Sequence, residues 1–95
     1  MMHAVLITFR STAPPDAALE RFSTFSPALR AFPGLLALTW MQDGATFGGF
    51  HVFTDRPSAD AYLDSALVAE ATANPAFSGF HLARFHILDE VGRPP

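Results

Sequence analysis

Four segments of the sequence are apolar at nearly every position, and turn-forming residues bound each of them. The segments are HAVLITFR (3–10), LLALTWMQ (35–42), FGGFHVFT (47–54) and FHLARFHIL (80–88). They are rich in β-branched and aromatic residues, which is typical of β-strands. Strands that are apolar on both faces are usually buried on both faces. The segments therefore predict a sheet that is covered on both sides.

A first helix is predicted between the first two strands. Pro15 suits the first helical position, where its missing N–H has no intrahelical partner to lose. Apolar residues then recur at spacings of three or four from Leu19 to Phe32, which predicts one buried helix face. Pro27 lies inside this pattern and predicts a kink or a split near Thr24. Gly34 after the helix can adopt the left-handed conformation that ends it.

A hairpin and a second helix complete the pattern. Asp43 and Gly44 predict a tight turn, so that the second and third strands are antiparallel neighbours. Asp55 predicts an N-cap for one helix that continues to the NPAFSG segment. The predicted buried face of this helix consists of Ala59, Tyr62, Leu63, Ala66 and Leu67.

The order of elements is βαββαβ, which predicts a single α+β domain over residues 1–95. Two split βαβ halves form a ferredoxin-like sandwich, with a four-stranded antiparallel sheet and helices on one face. A 95-residue chain buries only about 60–65% of its unfolded surface. Because 49% of the residues are hydrophobic and ten are Phe, some apolar surface is left over. We therefore expect a homodimer that packs sheet on sheet and encloses a cavity.

Period-two sorting of the strand residues gives one wholly apolar set, which is predicted to face the helices. That set is Val5, Ile7, Phe9, Leu36, Leu38, Trp40, Phe50, Val52, Ala83, Phe85 and Ile87. The other face is predicted to carry the polar strand residues among apolar ones. Its members of chemical interest are Thr39, Met41, His51, Phe53, Arg84 and His86.

Composition argues against several classes of function. The net charge is −3, and the six basic residues, all Arg, form no run, so neither nucleic acid nor an anionic membrane is an expected partner. The chain has no Cys and therefore no thiolate nucleophile, which suits a cytoplasmic protein. No two His have the spacing of a metal site on one helix or strand, and GATFGG joins two strands, unlike a dinucleotide-binding loop. The final GRPP is predicted to be a disordered tail.

Three motifs carry a resemblance to a known family. They are SPALRAFPGLLALTWMQD, GGFHVFTDRPSADAYL and ARFHI, which together span nearly the whole chain. The sequence resembles the dimeric α+β barrel superfamily and, within it, the YdhR-type monooxygenases. The residues in matching places are Pro27, Pro33, Gly34, Trp40, Gly48, Gly49, Phe53, Thr54 and Asp55.

The resemblance implies a homodimer that acts as a cofactor-independent monooxygenase on a phenolic, quinol or anthrone-like substrate. The reaction that the resemblance implies uses no metal and no flavin. Such chemistry requires a dry pocket, a base, and donors that stabilise the substrate anion. His51 and Arg84 are the catalytic candidates, as base and as anion-binding group. The substrate-binding candidates are Thr39, Trp40, Met41, Phe53 and His86.

Other interpretations remain open at this point. The protein could be a non-enzymatic module of the same fold that binds a small apolar or aromatic ligand or only dimerises. Haem capture, with His51 or His86 as axial ligand, is a third hypothesis. His51 could equally be satisfied across a dimer interface, and Arg84 could pair with a carboxylate of the partner.

Overall fold

Residues 1–88, the part of the chain that the computed structural model describes, form a four-stranded antiparallel sheet with three helices. The strands are β1 (His3–Ser11), β2 (Leu35–Asp43), β3 (Thr46–Phe53) and β4 (Phe77–His86), and the helices are α1 (Pro15–Arg30), α2 (Arg56–Leu63) and α3 (Ala66–Thr72). The strand order in the sheet is β2-β3-β1-β4. The predicted ferredoxin-like α+β fold is confirmed. The GRPP tail lies outside the described residues.

The Gly44 turn and the Asp55 cap form as the sequence predicts, whereas Gly34 does not end α1. Gly44 has a φ of 60° in the β2–β3 turn. Helix α1 ends at Arg30, with Ala31 in the right-handed conformation as its C-cap, and Gly34, with a φ of 85°, lies in the turn that leads into β2. The Asp55 carboxylate accepts a hydrogen bond from the Ser58 backbone N–H at 2.8 Å and so caps α2.

Helix α1 runs through Pro27 without a break, so the predicted split does not occur. Proline removes only its own N–H donor from the helix. The next bond is retained, because the Ala31 N–H donates to the Pro27 carbonyl at 3.2 Å. Ser23, whose carbonyl would accept a bond from a residue other than proline at position 27, is exposed, as is Pro27 itself.

The second helical segment is two helices, and the prediction of a single helix was wrong. Ser65 separates them by making two bonds of its own. Its hydroxyl donates to the Tyr62 carbonyl at 2.7 Å and accepts from the Val68 N–H at 3.3 Å, which caps α3. Strand β4 also begins at Phe77, three residues before the predicted start at Phe80.

Strand register shows that the predicted faces were wrong for half of the sheet. Val5, which packs in the core under the helices, lies opposite His51 on β3 and Arg84 on β4. Directly opposite residues share a face, so both polar residues face the helices. Phe53 and His86 lie opposite His3 and face the helices too. Phe50, Val52, Ala83 and Phe85, predicted to face the helices, lie on the other face.

On β1 and β2 the predicted face was mostly right. Val5, Phe9 and Leu38 are buried against the helices. Leu36 is the exception, because the β2–β3 register shifts between Leu35 and Ala37 and leaves Leu36 without a cross-strand partner. Its side chain is 55% exposed.

The core between the sheet and the helices has two clusters of buried side chains. One comprises Val5, Leu29, Leu38, Phe53, Ala59 and Tyr62, and the other comprises Phe9, Ala18, Phe22, Phe47 and Phe77. The opposite side of the sheet, which we term the outer face, carries no helix. Within residues 1–88, no helix is both long and apolar enough to cross a membrane.

Candidate functional site

A cavity of about 50 Å³ lies between the sheet and the helices, at the junction of the two core clusters. Every strand and every helix contributes to its lining. The residues concerned are Ile7, Phe9, Arg21, Phe22, Phe25, Leu29, Trp40, Gly49, His51, Tyr62, Val68, Ala71, Thr72, Phe77 and Phe80. Most are apolar, and seven are Phe, Tyr or Trp in addition to His51, as is common in pockets for aromatic ligands.

The cavity has a buried floor and a partly open side. His51, Gly49 and Tyr62 form the floor and are buried. The exposed lining residues, Arg21 of α1 and Phe80 of β4, form its mouth. The lining therefore joins exposed residues at the mouth to the buried His51 and Tyr62.

His51 is 3% exposed, and both of its ring nitrogens have partners. Nδ1 lies 3.1 Å from the Val5 carbonyl oxygen and 3.0 Å from the Gly49 carbonyl oxygen. Nε2 lies 3.0 Å from the Tyr62 hydroxyl. A histidine in this apolar strand is therefore fully hydrogen-bonded within one chain.

These contacts determine the tautomer of His51. Carbonyl oxygens only accept hydrogen bonds, so Nδ1 must carry the proton and donate to both. In the neutral ring Nε2 is then a lone-pair acceptor, and the Tyr62 hydroxyl donates to it. The floor of the cavity thus presents a phenol whose proton already points at a base.

Burial shifts the pKa values of His51 and Tyr62 in the directions that favour their neutral forms. Desolvation lowers the pKa of His51 below its ordinary value of 6.5, although the bonds to the Val5 and Gly49 carbonyls act in the opposite direction. Desolvation also raises the pKa of Tyr62 to about 12. At pH 7 the pair therefore consists of a neutral imidazole and a neutral phenol.

Gly49 makes room for the cavity floor. A Cβ at this position would lie 3.0 Å from His51 Cε1 and 3.3 Å from Trp40 Cζ3. Both rings lie on the helix-facing side of the sheet next to Gly49, so any side chain there would push against them. The absence of a side chain at this position permits the observed placement of His51.

Trp40 forms one wall of the cavity. Its indole stacks on Phe22 of α1, with ring centroids 4.7 Å apart and an interplanar angle of 8°. The indole Nε1–H donates to the Ser26 hydroxyl at 3.2 Å, which holds the ring in place. Trp40 lies in the cavity lining, and its predicted substrate-binding role stays a prediction.

Arg84 and His86 lie on the edge strand β4, outside the cavity lining. The Arg84 guanidinium donates from Nη2 to Asp60 at 2.6 Å and from Nε to His3 Nε2 at 3.1 Å. Hydrogen bonding from Arg84 lowers the pKa of the Asp60 carboxyl. The His86 ring packs edge-on against His3, with centroids 5.4 Å apart. The roles predicted for Arg84 and His86 stay predictions, and the structure does not bring either residue together with His51.

The remaining candidates are divided between the two faces. Phe53 stacks on His51 with ring centroids 6.1 Å apart and supports it from within the core. Thr39 and Met41 alternate with Leu38 and Trp40 on β2, so they lie on the outer face, away from the cavity. Their substrate-binding roles also stay predictions.

Sequence reasoning missed Tyr62 as a functional residue. Its place in the apolar stripe of a helix marks it as core, and the hydroxyl group was the only signal of a second role. A buried Tyr needs a hydrogen-bond partner, and a His at an apolar strand position needs one too. Among residues 1–88, no group of three His, Asp or Glu side chains is placed to hold a metal ion.

The family to which the chain belongs follows from its sequence. The sequence model described as "Putative mono-oxygenase ydhR" matches residues 5–93. The chain belongs to this family. No protein with a curated functional description matches the sequence.

Solved structures support the fold. SnoaB from Streptomyces nogalater, a cofactor-independent oxygenase, superimposes with a TM-score of 0.79 at 17% identity, covering 97% of this chain and 98% of SnoaB. NE2512 from Nitrosomonas europaea, a protein of unknown function, gives 0.76 at 24% identity, with 100% and 96% covered. Rv0793 from Mycobacterium tuberculosis gives 0.75 at 18% identity, with 96% and 99% covered. At these identities the likeness shows the fold.

Proposed function

We propose that the protein is a cofactor-independent monooxygenase that oxidises a small phenolic, quinol or anthrone-like substrate in the cavity between sheet and helices. The observation that carries the proposal is the floor of that cavity. There a neutral His51 accepts a hydrogen bond from Tyr62 in apolar, aromatic surroundings. Membership of a mono-oxygenase family and a fold shared with a cofactor-independent oxygenase agree with it.

The first step is removal of a proton from the substrate. The Tyr62 oxygen accepts the substrate proton while the Tyr62 proton passes to His51 Nε2. Tyr62 is a poor base by itself, because its phenolate is disfavoured at a pKa of about 12, so the proton must end on His51. The resulting imidazolium donates from Nδ1 to the Val5 and Gly49 carbonyls, which stabilise the positive charge.

The second step is reaction of the substrate anion with O₂. The anion gives one electron to O₂, and the two radicals combine to form a C–O bond, which yields a peroxide. His51 returns its proton to the peroxide. The resulting hydroperoxide then loses water, because its O–O bond and the C–H bond on the same carbon break, and a carbonyl is left. For an anthrone the balance is one anthrone plus one O₂ to one anthraquinone plus one H₂O. The substrate itself supplies the electrons, so no metal or flavin is needed.

The substrate requires more room than the closed cavity offers. Pockets for drug-sized ligands measure about 300–1,000 Å³, whereas this cavity measures about 50 Å³. Helix α3 has no buried residue, so the wall that it forms is the least firmly packed. We infer that α3 and Phe80 move apart from α1 when the substrate enters, and return to exclude water.

The finer points of assembly and location belong to the same proposal. We infer that two copies pack through their outer faces to form the homodimer of an α+β barrel. The expected location is the cytoplasm. Haem ligation is less favoured, because Tyr62 occupies His51 Nε2 and the cavity is small.

The proposal is tested by oxygen uptake in the presence of a metal chelator, with a panel of anthrones, quinols and dihydroxynaphthalenes. The wild type is compared with His51→Asn and Tyr62→Phe. Asn places an amide near the position of Nδ1 and can still donate to the carbonyls, but it offers nothing at Nε2. His81→Asn, a change at an exposed histidine, is the matched control.

We expect saturable uptake by the wild type and the control, and a fall of about 100-fold or more in His51→Asn, the usual contribution of a general base. Uptake that His51→Asn leaves unchanged would overturn the proposal. Saturable binding of the same compounds without uptake would instead support the non-enzymatic binding module.

A further inference from the structure

Among residues 1–88, Arg21 is the only charged residue in the lining of the cavity. It lies on α1 at the mouth, where its side chain is exposed. Its guanidinium carbon lies 5.6 Å from the centroid of the Phe25 ring, one turn further along the helix. This stacking on an aromatic face holds the guanidinium beside the mouth and leaves its N–H groups available.

Nothing in the described chain neutralises this charge. Among residues 1–88, Arg21 takes part in no ion pair and no side-chain hydrogen bond, whereas Arg84 pairs with Asp60 and Arg30 donates to Ser26. The helix positions three and four residues from Arg21 are Ala17, Ala18, Thr24 and Phe25, none of them acidic. The α3 residues that line the cavity are Val68, Ala71 and Thr72, which are neutral.

An apolar pocket with few polar groups uses those groups to orient its ligand. Here the polar groups are the buried His51–Tyr62 pair, the exposed Arg21, and Thr72, whose hydroxyl already donates to the Val68 carbonyl at 2.8 Å. A guanidinium binds a carboxylate with two parallel N–H···O bonds, and it does so best where water is partly excluded.

We propose that Arg21 binds a carboxylate of the substrate, so that the natural substrate is an aromatic hydroxy acid. The inference rests on the proposed function, because it assumes that the substrate occupies this cavity. The ring system lies in the cavity beside Trp40, with its hydroxyl at Tyr62 and its carboxylate at Arg21. Arg21 thus determines both the substrate class and the end of the molecule that reaches the base.

Binding of a matched pair of probes tests the inference without requiring turnover. The probes are 2-naphthol and 6-hydroxy-2-naphthoate, which differ by one carboxylate. Trp40 is the only Trp in the chain and lines the cavity, so its indole N–H resonance reports binding there. The proteins are wild type, Arg21→Gln and Arg21→Lys, with Arg10→Gln as the control at an exposed arginine outside the cavity lining.

We expect the wild type and Arg10→Gln to bind the hydroxynaphthoate about tenfold more tightly than the naphthol, the effect of one charge-assisted contact. Arg21→Gln should lose this preference and keep its affinity for the naphthol. Arg21→Lys keeps the charge but lacks the two parallel N–H donors of a guanidinium, so it should retain part of the preference for the hydroxynaphthoate.

Two results would overturn the inference, and they differ in what else they imply. Equal affinities for the two probes in the wild type, with a clear shift of the Trp40 resonance, would reject Arg21 and leave the proposed cavity and function standing. No shift of the resonance with either probe would reject the cavity as the binding site, and with it both proposals.

Discussion

His51 illustrates how one polar residue can lie at the centre of an apolar core. A buried imidazole without partners would cost about 1–3 kcal/mol for each unsatisfied group. Here the Val5 carbonyl, the Gly49 carbonyl and the Tyr62 hydroxyl satisfy both nitrogens. The same three bonds prepare a base, because they fix the proton on Nδ1 and leave the lone pair on Nε2.

The lowered pKa of His51 predicts how stability depends on pH. The unfolded chain binds the proton more tightly than the folded one, so the free energy of unfolding should fall as the pH drops below about 6.5. Burial and the neighbouring Arg84 lower the pKa of His3 in the same direction. Urea unfolding at pH 7.5 and 5.5 should therefore show a smaller loss for His51→Asn than for the wild type.

His81→Asn, at an exposed position, is measured alongside as the control for replacing a histidine with asparagine. An equal loss in His51→Asn and the wild type would contradict the account of His51. The lowered carboxyl pKa values of Asp55 and Asp60 act at lower pH, below about 3.8, and so do not confuse the result.

Gly49 offers a second test at a single residue. Gly49→Ala places a methyl group 3.0 Å from His51 Cε1 and should displace the ring or the Trp40 indole. We expect a destabilisation of about 1–3 kcal/mol, typical of overpacking, and loss of probe binding at the Trp40 resonance. Urea unfolding and the naphthol titration measure the two effects.

Gly48→Ala is the matched control, since its Cβ would meet the flexible end of Met41 at 3.3 Å on the outer face. It should keep probe binding. If Gly49→Ala binds the probes as the wild type does, the cavity is not where they bind.

At the level of elements, the sequence predicts the presence of strands, turns and caps better than it predicts which side of each strand faces the helices. Each strand, the Gly44 turn and the Asp55 cap could be read because their residues act locally. The faces of β3 and β4 could not, since both sides of those strands are apolar and an alternation signal is absent. Assigning the most apolar set to the core placed Phe50 inside and His51 outside, the reverse of the structure.

The division between α2 and α3 depends on Ser65, and it too escaped prediction, because a helical stripe of apolar residues continues across it. Ser65→Ala removes the cap bond to the Val68 N–H and the bond to the Tyr62 carbonyl. We expect a loss of about 1 kcal/mol in urea unfolding and faster hydrogen exchange in α3.

Ser23→Ala, at an exposed position in α1, is the corresponding control and should change stability by less than about 0.5 kcal/mol. Unchanged exchange rates in α3 of the Ser65→Ala protein would mean that packing, and not the cap, starts this helix.

At the level of the whole molecule, the most prominent feature is the apolar outer face of the sheet. All three helices pack on one side of the sheet, and the other side presents Leu6, Phe50, Val52 and Phe85, the last 53% exposed. An apolar sheet face of this kind usually marks an interaction surface. The high proportion of hydrophobic residues in the sequence, 49%, is consistent with such a surface.

A charge at the centre of the outer face should therefore prevent dimerisation. Phe50→Asp buries a carboxylate in the proposed interface, and light scattering after size exclusion should find a monomer where the wild type is a dimer. Leu19→Asp, at a leucine that is 47% exposed on α1, is the control and should remain a dimer. A wild-type monomer, or a Phe50→Asp dimer, would reject the interface.

The proposed function requires His51 to act as the base for oxidation by O₂. The most direct measurement follows oxygen consumption and quinone formation together, with anthrone and a chelator, and subtracts the rate without protein. The account predicts one O₂ consumed for each anthraquinone formed and a rate about 100-fold or more lower in His51→Asn. Equal rates in the two proteins, with both folded, would contradict it.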